Sequence, residues 1–112
     1  MPSIPSEILA PEEAGKTLKI LLEATEAGNH EAFLAPGTER FQRGISKAMF
    51  YGVSEQVASR LKAGHTAEYL TEIKQGDYRI FLWKLSFSDA GTEFIARLAL
   101  AVDGKVAGFL VN

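Results

Sequence analysis

Few side chains in this chain are suited to bond-making chemistry. It has two histidines, 14 acids and no cysteine. The missing thiols remove disulfides, thiolate metal sites and cysteine nucleophiles together. His30 stands at the start of a short helical pattern and His65 just after a glycine that closes another, positions that are usually exposed. Two histidines so placed, with no acid cluster beside them, make a poor metal site. No serine sits in a Gly-x-Ser-x-Gly turn, and no glycine-rich phosphate loop is present. Arg40, Arg43 and Lys47 form a small basic cluster that reads as solvated charge, with anion binding the minor alternative. The aromatics Phe81, Trp83, Phe87, Phe94 and Phe109 could line an apolar cavity, although such a face is more often plain core. Tyr51 and Tyr69 could give that cavity a polar handle, since a buried tyrosine hydroxyl usually finds a partner. The candidate ligand-binding set is therefore Tyr51, Tyr69, Trp83, Phe94 and Phe109, with no metal or cofactor expected.

The elements that would position these residues follow from periodicity. Residues 1–10, with Pro2 and Pro5, read as an arm, and 11–112 as one domain. Pro11-Glu12-Glu13 starts a helix, because proline is tolerated in the first turn and acids there face the positive end of the helix dipole. Ala14, Leu18, Leu21, Leu22 and Thr25 share one stripe, and Gly28 ends it. Asn29 caps a short helix over about 30–35, stopped by Pro36-Gly37. Ser46 caps a third helix over about 47–62, with a stripe of Met49, Phe50, Val53, Val57 and Leu61, closed by Ala63-Gly64.

From His65 the period becomes two. Strands are expected at about 66–74, 78–88, 92–102 and 105–111, separated by Gly76-Asp77, Ala90-Gly91 and Asp103-Gly104. Asp-Gly suits a two-residue type I′ turn. Two-residue loops at the last two turns set Phe87 against Phe94, Leu85 against Ala96, Trp83 against Leu98 and Phe81 against Leu100. They also set Leu98 against Phe109 and Ala96 against Val111. One face becomes wholly apolar and belongs under the helices. For the first strand, a two-residue and a three-residue loop at Gly76 put Tyr69 on opposite faces.

The other face carries Ile80, Leu82, Lys84, Ile95, Arg97, Ala99, Ala101, Val106 and Leu110. A solvated face should alternate to polar residues, and this one is half apolar. A second copy of the chain is the simplest cover, which makes Ile80, Leu82, Lys84, Ile95, Arg97, Ala99 and Leu110 the expected interface. Lys84 and Arg97 should then reach its rim or an acid, and Glu93 is the nearest one.

The 112 residues suit one domain, and 46% hydrophobic with 23% charged is a globular composition. A net charge of −2 leaves no basic footprint for nucleic acid. No stretch reaches the roughly 20 apolar residues of a membrane helix, and the start lacks a signal-peptide pattern. A cytoplasmic location is therefore expected, unless a leader has been removed.

Helices followed by an antiparallel meander ending in Asp103-Gly104-Lys105-Val106-Ala107-Gly108-Phe109 resemble the nuclear transport factor 2-like superfamily, a cystatin-like α+β cone. Ala27-Gly28-Asn29-His30-Glu31-Ala32-Phe33 and Tyr78-Arg79-Ile80-Phe81-Leu82-Trp83-Lys84-Leu85 resemble small uncharacterised bacterial members, over about residues 12–112. The resemblance implies helices packed on a curved four-stranded antiparallel sheet. It does not choose among the superfamily's isomerases, dehydratases, epoxide hydrolases and non-catalytic binding or dimerising domains. An isomerase of this kind needs a carboxylate base in the cone with hydroxyl or carboxyl donors, and only Glu68 and Glu72 could serve, in one register of the first strand. They read as solvated edge-strand acids. A dehydratase would want histidine and aspartate deep in the cone, which His30 and His65 do not offer.

The sequence thus favours a non-enzymatic homodimeric domain that takes a small apolar or amphipathic ligand. The alternatives are a small isomerase or hydratase acting on a hydrophobic substrate, and a protein-interaction module working through the sheet.

Overall fold

The computed structural model describes residues 11–88, 91 and 93–112. The expected arm at 1–10 and Ala90 of the second hairpin lie outside them. Four helices, α1 (Glu12–Ala27), α2 (His30–Leu34), α3 (Glu39–Gly44) and α4 (Lys47–Ala63), precede four strands, β1 (His65–Gln75), β2 (Tyr78–Phe87), β3 (Glu93–Leu100) and β4 (Val106–Val111). The strands form one antiparallel sheet in the order β1-β2-β3-β4.

Each helix starts where the chain offers a reason. Pro11 precedes α1, and Glu12 and Glu13 occupy its first turn. Side-chain oxygens of Asn29, Thr38 and Ser46 accept the backbone N–H groups of Ala32, Phe41 and Met49, which satisfies donors the helix itself cannot. Helix α3 was not expected, because Pro36-Gly37 read as the end of a helix and the basic residues after it as surface. Thr38 is the cap that reading missed. Gly28 ends α1 in the left-handed region at φ 68°, where glycine has no Cβ to clash.

All five residues of the α1 stripe are buried, and with Phe81, Trp83, Leu85, Ala96 and Leu98 they form the core between helices and sheet. Burying each large apolar side chain contributes about 1.5–3 kcal/mol. The α4 stripe divides. Phe50 and Leu61 are buried, but Met49 and Val53 are each 58% exposed.

The β3–β4 ladder has the expected pairs, Leu98 with Phe109 and Ala96 with Val111. Three other features of the sheet differ from expectation. Strands β2 and β3 are slid by two residues, so that Trp83 faces Ala96, Phe81 faces Leu98 and Leu85 faces Phe94. A slide of two preserves the faces, and Trp83 still lies under the helices at 2% exposure. The hydrophobic pattern constrains the face and leaves the even-numbered shift to the loop. The observed ladder ends at Ser86 and Glu93, with six residues between them.

The turn at Asp103 is not type I′, because Gly104 has φ 86° while Asp103 does not enter the left-handed region. The Gly104 N–H donates to the Ala101 carbonyl and the Ala101 N–H to the Lys105 carbonyl, which closes a three-residue loop with a bulge. The ladder shifts between Ala99 and Leu100, and Val106 thereby turns from the outer face into the core, fully buried. Its backbone also bonds Pro36 and Thr38, so the α2–α3 connection lines the β4 edge there.

Strand β1 satisfies neither simple register. Gly76-Asp77 is a two-residue loop with Gly76 at φ 60°, but the ladder shifts again between Tyr69 and Thr71. The bulge at Leu70 places Tyr69 opposite Trp83 and Glu72 opposite Phe81, both on the helix side, while Glu68 faces Lys84 outside.

Candidate functional site

Helix α4 is held to α1 rather than to the sheet. The Ser54 hydroxyl, buried in the α1–α4 seam, donates to the Thr25 carbonyl at 2.6 Å, and the Thr25 hydroxyl donates to Leu21 within α1 at 2.8 Å. This leaves space between the inner face of α4 and the strand ends that carry Phe87, Phe94 and Phe109. A groove of 630 Å³ fills it, with Phe33, Phe50 and Leu61 on the helix side and Met49 and Val53 at its mouth. The size and apolar lining are those of a small-molecule site. Three polar side chains reach it, Thr25, Gln56 and Arg60. Among the described lining residues there is no carboxylate and no histidine.

Of the five residues singled out for ligand binding, Phe94 and Phe109 line the groove and three do not. Trp83 lies deeper in the core, and Tyr69 packs edge-on against its ring with centroids 5.7 Å apart. Tyr51 turns away, 42% exposed, beside Phe50 and His30. One residue is about 100° around a helix, so Tyr51 cannot share the inward direction of Phe50. Gln56 and Arg60 went unnoticed in the sequence. Their signal is the spacing of Met49, Val53, Gln56 and Arg60, which continues one helical stripe into polar residues.

The other ionisable groups lie apart from the groove. The Arg79 guanidinium donates to both Glu72 oxygens at 2.7 and 3.3 Å and sits 5.1 Å over the Phe81 ring. Arg79 holds the Glu72 carboxyl below its usual range, and burial, followed by the Glu72 charge, pushes the Tyr69 hydroxyl up. An open, charged hollow at Glu72, Lys74 and Arg79 marks this end of the sheet. His30 is half-buried rather than exposed: its Nε2 lies 2.9 Å from the Ile45 carbonyl and its ring packs on Phe50. That contact orients it as a donor and ties α2 to the start of α4. His65 is exposed, with Nδ1 3.2 Å from the Leu61 carbonyl. No cluster of three or more metal-ligating side chains occurs among the described residues. Arg40, Arg43 and Lys47 are exposed, and Arg43 pairs with Glu39.

On the outer sheet face, Ile80 is only 3% exposed, between Ile73 and Ala99 on the neighbouring strands. Ile95 and Leu110 are exposed, and Leu82 and Ala99 half-buried. Lys84 lies 3.4 Å from Glu68 and 3.6 Å from Glu93, so the acid named for it has a second beside it. Glu68 is the main reason the Lys84 ammonium is held above its usual range. Arg97 donates to Gln75 at 3.5 Å.

No family model matches the chain, and no curated protein does. Among solved structures, one similar to it is an uncharacterised cystatin-fold protein from Novosphingobium aromaticivorans, with 13% identity and a TM-score of 0.45, covering 87% of this chain and 95% of that one. Four helices followed by one four-stranded antiparallel sheet make the chain an α+β fold. No helix among the described residues is long and apolar enough to cross a membrane.

Proposed function

We propose that this chain is a non-enzymatic binding domain, a small bacterial member of the nuclear transport factor 2-like group, that takes a small apolar or amphipathic molecule between α4 and the sheet. The observation that carries the reading is the 630 Å³ groove, lined by aromatic and aliphatic side chains and open past Met49 and Val53. A general base would have to reach the bound molecule, and the lining offers none among the described residues. The isomerase reading would have to use Glu72, which faces the helix side. Glu72 is bound to Arg79, outside the groove lining, and its lowered pKa makes it a poor proton acceptor.

The test is equilibrium binding of the neutral dye Nile red. One dye per chain should bind, and Val53→Trp, which puts a large ring into the mouth, should abolish binding with little change in melting temperature. Absence of binding, or binding untouched by Val53→Trp, would contradict the proposal.

A second reading concerns the partner and is compatible with the first. Ile73, Ile95 and Leu110 leave an apolar outer face exposed, which supports a homodimer, or a protein-interaction module, working through that face.

A further inference from the structure

We infer that the groove is built for a single-chain carboxylate, with its head on Arg60 and its tail running toward Met49. The inference rests on the binding reading above and adds the chemical class and direction of the ligand. Met49, Val53, Gln56 and Arg60 recur at helical spacing and all line the groove, so one edge of it follows the axis of α4. Eleven residues at about 1.5 Å each make that edge about 16 Å long.

Polarity is graded along this edge. Its first half is the two exposed apolar side chains Met49 and Val53. Its second half is the amide of Gln56 and the guanidinium of Arg60. Across the gap, Phe87, Phe94 and Phe109 offer only apolar surface. Arg60 is the one charged side chain among the described lining residues. A groove apolar at one end and cationic at the other complements an elongated molecule with one apolar and one anionic end.

The guanidinium fork suits a planar carboxylate, which it can bind through two parallel hydrogen bonds, and the Gln56 amide one turn earlier can donate a third. A phosphate dianion would leave surplus negative charge beside an apolar wall, where unpaired charge is costly. A quaternary ammonium would meet the arginine with like charge. Arg60 lies in the last turn of α4, where the helix dipole favours a cation and opposes an anion. The carboxylate must therefore be held by the side chains, and a single substitution should expose that dependence.

The experiment is calorimetric titration of the full chain and of Arg60→Gln with decanoate and with decanol, below their aggregation concentrations. The wild type should bind decanoate more tightly than decanol. Arg60→Gln should weaken decanoate about tenfold or more and leave decanol unchanged, since hydrogen bonds to charged groups are the stronger class. In the wild type, affinity should rise about fourfold per methylene from octanoate to decanoate, the gain expected from burying the tail. Decanol binding on Arg60→Gln also shows that the variant is folded. If both ligands bind equally and Arg60→Gln alters neither, the carboxylate assignment is wrong and the groove reading stands. If neither ligand binds the wild type, both fall.

Discussion

Gly37 shows how one side chain can decide a local structure. It is buried in the α2–α3 connection beside β4, and a Cβ built on it would run into the ring of Phe41. Phe41 is itself buried, so Gly37→Ala should force a shift costing about 1–3 kcal/mol, measured by denaturant unfolding. Trp83→Ala should cost about 3–5 kcal/mol, as large-to-small core changes do, and a variant that melts like wild type would contradict the buried placement. Glu72 makes a pH prediction. Its folded pKa lies below its unfolded one, so the Arg79 pair adds stability above the ordinary carboxylate range and loses it as pH falls through the folded value. Arg79 is half exposed, which limits the effect to about 1 kcal/mol or less. Glu72→Gln should remove that part of the acid-side slope in a stability-versus-pH series and leave neutral-pH activity in dye binding unchanged.

The elements themselves were largely legible, and their offsets were not. The α1 stripe, the Asn29 and Ser46 caps and the change to period two at His65 are local signals, and each corresponds to an observed element. The bulges at Leu70 and Ala107 are decided by packing across the sheet. A strand with an extra residue still alternates, so nothing at Tyr69 or Val106 announces that its face has changed. Likewise Met49 and Val53 have the spacing of core residues. Only the seating of α4 on α1 through Ser54 leaves them lining a groove, and that depends on a contact 29 residues away in sequence. The hairpin after β3 gives an element-scale prediction. Gly104 sits at φ 86°, so Gly104→Ala should cost about 1–2 kcal/mol, whereas Gly91→Ala, with open space around its Cβ position and no left-handed φ, should be near neutral. Equal losses in thermal melts would argue against the bulged loop.

At the scale of the molecule, two surfaces compete for functional meaning. The groove is concave and apolar, and the outer sheet face is flanked by ion pairs at Lys84 with Ile95 and Leu110 exposed. A two-fold pair through that face should bury more than about 1,000 Å² in total. Leu82→Glu would set like charges near the axis, and it should give a folded monomer by light scattering where wild type gives a dimer. A monomeric wild type would remove the dimer without touching the groove. The central claim is that the groove is where a ligand goes, and methyl and indole NMR during a decanol titration tests it most directly. Resonances of Met49 and Val53 should move saturably while the indole N–H of Trp83, buried apart from the groove lining, stays in place. Shifts at Leu82 and Ile95 on the outer face with Met49 and Val53 unmoved would contradict it.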